Sequence, residues 1–242
     1  MGKGGFNAII KNYMNPKFSL IIPTYNRNDV LIQNLREIRS RYPEAEIIVI
    51  DDGSKTDVSL AIKKEFSESI IFLKNEENLG KGASLRKGFL KAQGDYLIFT
   101  DDDLPYGTDN IELVLKKLEE GNRIVIAQRV SFSDSSFFRK IGRFCFKIFF
   151  KPLLGIKIKD TQAGLKGFQK DIGKLLFNLS FTNRFAIDLE ILYLASRLKI
   201  PIEAIPVEAM HKQDSTFKFI NTFDIALAVF KIKFHHYSYE KK

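Results

Sequence analysis

A chain of 242 residues, 45% hydrophobic and 28% charged, has enough apolar material for one full core, so it reads as one α/β domain or one domain with a short appendage. A single cysteine, Cys145, excludes an internal disulfide and a cysteine-based zinc site, and three histidines leave little for a histidine-rich one. A bound cation would therefore take oxygen ligands, which suits Mg²⁺ or Mn²⁺, while the formal net charge of +9 admits nucleic acid, an anionic membrane or phosphorylated substrates as partners.

Phe18-Ser-Leu-Ile-Ile-Pro23 reads as a first strand, closed by Pro23 and the turn-like Thr24-Tyr25-Asn26-Arg27. Val30, Leu31, Leu35 and Ile38 then keep helical spacing. Ile47 to Ile50 is a β-branched run typical of a strand buried on both faces; a helix over about 58–66 and a strand over 70–73 follow. Gly80-Lys81-Gly82 opens a helix running to about Ala92, Tyr96 to Phe99 makes another strand, and a helix from about Asp109 to Glu120 leads to the strand Ile124 to Ala127. Four β-α steps of this length, closed by a fifth strand, predict right-handed crossovers and a mostly parallel sheet covered by helices on both faces. A last strand is expected from Ile202 to Val207.

Two of these strands end in acid. Tyr96 to Phe99 runs into Thr100-Asp101-Asp102-Asp103, and Ile47 to Ile50 into Asp51-Asp52-Gly53-Ser54. In an open parallel sheet the ligand crevice lies beyond the carboxyl ends of the strands, so acids recurring there belong to a site. Asp101 and Asp103, two apart in extended backbone, project to one side and can reach one hard cation; Asp102 points away.

Beyond residue 130 the character changes. Between Phe137 and Lys159 lie seven basic residues, six phenylalanines and no acid. On a helical wheel Phe137, Phe138, Ile141, Phe144, Cys145, Ile148 and Phe149 share a face beside the stripe Arg139, Arg143, Lys147 and Lys151, a pattern that fits an anionic membrane interface. At the C-terminus Phe219, Ile220, Phe223, Leu227, Phe230 and Phe234 line one side of an expected helix. The division expected is 1–215 as the main domain, with the basic segment 137–159 inside it, and 216–242 as an amphipathic helix facing a membrane or a partner. No apolar run approaches the ~20 residues that span a bilayer, and Met1-Gly-Lys-Gly-Gly5 lacks the apolar core of a signal peptide.

Taken together, Ser19-Leu-Ile-Ile-Pro23-Thr-Tyr-Asn26, Ile48-Val-Ile-Asp51-Asp-Gly-Ser54, Asn78-Leu-Gly80-Lys81-Gly82 and Gly94-Asp-Tyr-Leu-Ile-Phe-Thr-Asp101-Asp-Asp103 resemble family 2 glycosyltransferases of the GT-A fold. Gln128-Arg129, Asp160-Thr-Gln162-Ala-Gly164-Leu-Lys-Gly167-Phe168 and Phe185-Ala-Ile-Asp188-Leu-Glu190 look like the subgroup that loads sugars onto polyprenyl phosphates. The resemblance covers roughly residues 18 to 215. It implies a Rossmann-like GT-A sheet and a metal-dependent, inverting hexosyltransferase. The donor would be a nucleotide sugar and the acceptor a dolichyl or undecaprenyl phosphate.

The same resemblance assigns roles. Pro23, Tyr25 and Asp51 would cradle base and ribose; Asp101 and Asp103 match the Asp-x-Asp motif whose metal, Mg²⁺ or Mn²⁺, bridges the donor diphosphate. Asp102, where relatives often carry Ala, is counted on the donor side but expected to lie exposed, and Lys81, Gln162 and Glu190 complete the donor contacts. Arg129, Arg139 and Arg143 would bind the acceptor phosphate, and Asp188 would orient the sugar or the acceptor, so Asp103, Asp188 and Arg129 carry the chemistry. Arg86 and Lys87 are expected to be solvated, and His211 matches a family histidine only loosely. Mannosyl-type relatives often have Gln where this chain has Pro105, which leans towards a glucosyl-type enzyme using UDP-glucose or a related UDP-hexose.

The alternatives are a GDP-mannose-dependent enzyme on the same acceptor, a family 2 transferase acting on a saccharide hydroxyl, and a noncatalytic basic module that binds nucleic acid. Under the first reading no nucleic acid is a partner, attachment is peripheral at the cytoplasmic face of a membrane, and a homo-oligomer is compatible with the sequence.

Overall fold

The computed structural model describes residues 16–130, 160, 163–208 and 229–235. In chain order the elements are β1 (Phe18–Thr24), α1 (Asn28–Arg41), β2 (Glu46–Asp51), α2 (Ser59–Phe66), a 3₁₀ turn (Ser67–Ser69), β3 (Ile70–Lys74), α3 (Lys81–Lys91), β4 (Tyr96–Thr100), α4 (Gly107–Glu119), β5 (Ile124–Arg129), β6 (Leu165–Gln169), α5 (Lys170–Leu179), α6 (Ile187–Arg197) and β7 (Ile202–Val207). Every strand and helix expected from the periodicity of the first half is present.

The strands form one seven-stranded sheet in the order β3-β2-β1-β4-β6-β5-β7. β1, β2, β3 and β4 are mutually parallel, as are β5 and β7, whereas β6 runs antiparallel to both β4 and β5. β6 and α5 are not foreseen by the periodicity. Leu165-Lys-Gly-Phe-Gln169 has neither strict alternation nor a β-branched residue, although four of its five residues are buried.

Each face of the sheet carries its own core. On one side lie α1, α2 and α4, where Leu31, Leu35 and Ile38 of α1 sit one helical turn apart and are buried. On the other lie α3, α5 and α6, with Phe89 in contact with Phe99, Phe168 and Phe177 at the centre. Phe89 stacks on Phe177 at 3.7 Å between ring centroids and meets Phe168 edge-on at 5.4 Å. α6 is buried without a break from Ile187 to Ala195, so Asp188 and Glu190 are taken inside with it.

The described C-terminal residues 229–235 are helical. Val229 and Ile232 are buried in the α3/α5/α6 core, whereas Phe230 and Phe234 are 47% and 67% exposed. The Val229/Ile232 side of this segment docks on the core, and the side bearing Phe230 and Phe234 is left exposed. Residues 216–228 and the basic segment 137–159 lie outside the described residues. Among the described residues no helix is long and apolar enough to cross a membrane.

Phe89 touches three other fully buried rings, so Phe89→Ala should cost about 3–5 kcal/mol of unfolding free energy. Chemical denaturation of the variant against the parent chain measures it.

Candidate active site

β1, β2 and β4 are parallel neighbours, so their carboxyl ends open on one edge of the sheet and bring Thr24, Asp51 and Asp101 together there. The loops beyond these ends are stitched to one another. Asp52 donates its backbone N–H to Thr24 O at 2.9 Å, and Asn75 donates its own to Asp51 O at 2.8 Å. Asn26 and Ser54 close the same region, through Asn26 N to Ser54 Oγ at 2.8 Å and Lys55 N to Asn26 Oδ1 at 2.9 Å.

The two acids after β2 have different duties. Asp52 is buried and accepts from Asn75 Nδ2 (2.9 Å), Leu79 N (3.1 Å), Gly80 N (2.9 Å) and Ser84 Oγ (3.0 Å). It thereby pins the turn that leads into α3. Gly80 there has a φ of 101°, and an added Cβ would lie 2.4 Å from Asn183 O. Asp51 accepts from Ser54 N through Oδ1 at 3.0 Å, while its Oδ2 is buried with no hydrogen-bond partner among the described residues. A buried carboxylate oxygen left in this condition is a costly arrangement unless a ligand donor meets it. Pro23 is buried beside it at the end of β1, and Tyr25 is exposed.

The Asp101-Asp102-Asp103 run follows β4 directly. Lys81, at the first turn of α3, places Nζ 2.7 Å from Asp101 Oδ1 and 3.8 Å from Asp188 Oδ2. Asp188 in turn holds Lys166 Nζ in a close ion pair, and the same ammonium donates to Ala163 O at 2.7 Å. Lys166 is wholly buried in β6. Both ammonium groups lie over the Phe99 ring, at 5.4 Å for Lys81 and 5.2 Å for Lys166. Charge thus alternates from the sheet interior outward: Lys166, Asp188, Lys81, Asp101. Burial pulls the Lys81 ammonium down, but the Asp101 and Asp188 carboxylates outweigh it and hold it above the ordinary lysine range.

Asp103 pairs instead with Arg27, whose Nη1 lies 2.6 Å from Asp103 Oδ2 and 3.2 Å from Asp102 Oδ1. Asp102 corrects an expectation: it is not exposed but 94% buried, accepting from Thr24 Oγ1 at 2.7 Å while its backbone carbonyl accepts from Asn34 Nδ2, also at 2.7 Å. Burial pushes its carboxyl up to about 6. Asp102 ties the motif to β1 and α1.

Glu190 is a second correction. Expected among the donor contacts, it is fully buried and accepts from Phe181 N (3.1 Å), Thr182 N (2.8 Å) and Thr182 Oγ1 (2.6 Å). It holds the turn before α6, and that turn holds α3, since Ala83 donates to Asn183 O at 3.1 Å. Arg86 is half-buried rather than solvated, whereas Lys87 is exposed, as expected. Arg86 donates to Ser180 Oγ, Asn183 Oδ1 and Thr182 O, and Lys87 to Lys74 O and Asn75 Oδ1. Lys166 is the site residue that sequence reasoning passed over; the available signal was a lysine inside the otherwise apolar run Ala163 to Phe168.

Arg129, at the end of β5, grips Asp160 with two bonds, Nε to Oδ2 at 2.6 Å and Nη2 to Oδ1 at 3.0 Å. Arg139, Arg143, Gln162 and His211 lie outside the described residues. No group of three or more His, Cys, Asp or Glu side chains is gathered as a self-sufficient metal cage among the described residues.

The family model described as "Glycosyl transferase family 2" matches residues 19–176. The chain is 32% identical to a dolichyl-phosphate beta-glucosyltransferase of Dictyostelium discoideum, over 96% of this chain and 79% of that protein. It is 30% identical to a protein of the same name from Saccharomyces cerevisiae, over 89% and 71% of the two chains. Among solved structures it resembles glucosyl-3-phosphoglycerate synthase from Mycobacterium tuberculosis in complex with Mn²⁺, uridine-diphosphate-glucose and phosphoglyceric acid. The TM-score is 0.69 at 15% identity, over 96% of this chain and 84% of that one, which establishes a shared fold.

Burial pushes the Asp160 carboxyl up, but the Arg129 fork more than reverses this and holds it below the ordinary carboxylate range. A carboxylate with a depressed value in the folded state stabilises above its unfolded value of about 3.9 and loses that contribution as pH falls through the folded value. Unfolding free energy should therefore fall less steeply in acid for Asp160→Asn than for the parent chain, in denaturation curves taken from about pH 5 to pH 2.

Proposed function

This chain belongs to glycosyl transferase family 2, and from that premise we propose that it transfers glucose from UDP-glucose to a dolichyl-type polyprenyl phosphate. One observation carries the reading beyond the family. A buried, unpartnered Asp51 oxygen and the Asp101/Asp103 pair converge on one strand-end crevice, in a chain similar along nearly its whole length to dolichyl-phosphate beta-glucosyltransferases.

Asp51 Oδ2 would accept from the nucleoside, with Pro23 and Tyr25 as the adjoining wall. Asp101 and Asp103 are hard oxygen donors, and each is already neighboured by a cation, Lys81 and Arg27. Their chemistry fits a divalent ion such as Mg²⁺ or Mn²⁺, which they would hold. When bound, that ion neutralises charge on the departing nucleoside diphosphate. Lys81, at the amino end of α3, would face the same phosphates.

The acceptor is an anion, so it needs positive charge more than a base. Arg129 would bind its phosphate, with Asp160 fixing the guanidinium plane. An acceptor phosphate oxygen attacks the anomeric carbon, the bond from that carbon to the diphosphate oxygen breaks, and UDP leaves with the electron pair, inverting the configuration. Asp188 acts at a remove, since its oxygens hold Lys166 and Lys81. Positioning and charge neutralisation supply most of the rate. The segment 137–159, with Arg139 and Arg143, and the exposed Phe230 and Phe234 would hold the enzyme at an anionic membrane surface.

Purified protein, Mn²⁺ or Mg²⁺ and a short polyprenyl phosphate should yield a glycolipid from UDP-glucose, and less from UDP-N-acetylglucosamine or GDP-mannose. Transfer to soluble sugars but not to the lipid phosphate overturns the acceptor assignment. Asp103→Ala should reduce transfer at least about 100-fold with the fold intact by circular dichroism. Sedimentation with anionic liposomes should weaken when Arg139, Arg143, Lys147 and Lys151 are changed together to Ala; unchanged sedimentation rejects the membrane role of this segment.

A further inference from the structure

The glycines of this chain fall into different classes according to what a side chain would meet. At Gly94 an added Cβ would lie 2.5 Å from the backbone of Phe18 and Ser19, and at Gly167 it would lie 2.4 Å from Val114 Cγ1 in the core. Those positions are closed by the fold itself. At Gly164 the obstacle is a functional group: an added Cβ would lie 1.8 Å from Asp101 Oδ2 and 2.6 Å from its Cγ. The backbone at Gly164 lies outside the left-handed region, so conformation does not demand glycine there.

The register explains the encounter. Thr100 faces Leu165 in the antiparallel β4–β6 ladder, and Asp101 N donates to Gly164 O at 3.1 Å, which extends the ladder by one pair. Residues directly opposite in such a pair project to one face with their Cβ atoms about 5 Å apart. Asp101 uses that proximity by laying its carboxylate across the bare Cα of Gly164. On the opposite side Lys81 stands 2.7 Å away, and Lys81 is itself held by Asp188 and, behind that, Lys166. The carboxylate is therefore confined between an ammonium group and a backbone surface that must lack a side chain.

We propose that Gly164 is a positioning residue for Asp101: the absence of a side chain at this position sets where the Asp101 carboxylate presents its oxygens to the donor's metal ion. This rests on the metal-binding role given above to Asp101. Because the displaced group is the end of a short side chain rather than backbone or core, a methyl at 164 moves the carboxylate while leaving the fold standing. That separates Gly164 from Gly94, where the same methyl has only backbone to push against.

The test is binding of Mn²⁺ in the presence of UDP, read by electron paramagnetic resonance or calorimetry, alongside thermal unfolding, for the full chain and for Gly164→Ala and Asp101→Ala. Gly164→Ala should weaken Mn²⁺ binding at least about tenfold, as Asp101→Ala does, while its melting temperature stays within about 4 °C of the parent. Parent-like Mn²⁺ affinity in Gly164→Ala overturns the proposal, and so does a collapse of its melting temperature together with the affinity. Parent-like affinity in Asp101→Ala removes the metal role of Asp101 itself. That result is distinct from a failure at Gly164, and it overturns this inference along with the reading beneath it.

Discussion

Strand β6 enters the sheet from the crevice end, because it runs against both β4 and β5, and much of the site follows from that direction. In a wholly parallel sheet the residues leading into a strand would lie at the far edge, away from any ligand. Reversal brings Asp160, Ala163 and Gly164 to the carboxyl ends of β4 and β5. There Asp160 meets Arg129, Ala163 O accepts from Lys166, and Gly164 lies under Asp101. One step into the strand, Lys166 faces Phe99 across the ladder and supplies the buried cation on which Asp188 and then Lys81 depend.

Two buried carboxylates do for the main chain what Lys166 does for charge. Asp52 gathers four donors from the 75–84 stretch, and Glu190 gathers the amides of the turn before α6. The start of α3 is held between them, with Gly80 and Gly82 allowing the 182–183 backbone to come close. A buried carboxylate fully supplied with amide and hydroxyl donors rigidifies its surroundings, since each donor would be left unsatisfied if it moved away. Lys81 can therefore be a long, flexible side chain and still occupy one place.

The first half of the fold was legible because each strand is a short β-branched or apolar run and each helix keeps a 3.6-residue stripe, so local pattern and tertiary burial agree. β6 was hidden by its lysine and glycine, both of which make sense only through partners distant in sequence: Asp188 for Lys166, α4 for Gly167. Acids at strand ends were legible as a group but not as individuals. Asp102 was misjudged because alternation says where a side chain starts, while Thr24 and Arg27 decide where it ends. Glu190 was misjudged because its amide partners lie in a turn with no sequence signature.

The alternating row of Lys166, Asp188, Lys81 and Asp101 has a consequence at long range. Two positive and two negative groups in line cancel almost completely beyond a few ångströms, so the row contributes little to the field outside the molecule. An approaching polyanion responds to the chain's formal surplus of +9 within about a Debye length, about 8 Å in physiological salt, and to the individual charges of the row only at contact distance. Capture and alignment thus fall to different sets of residues, so the rate of encounter can shift with surface charge while the geometry of the bound state stays fixed.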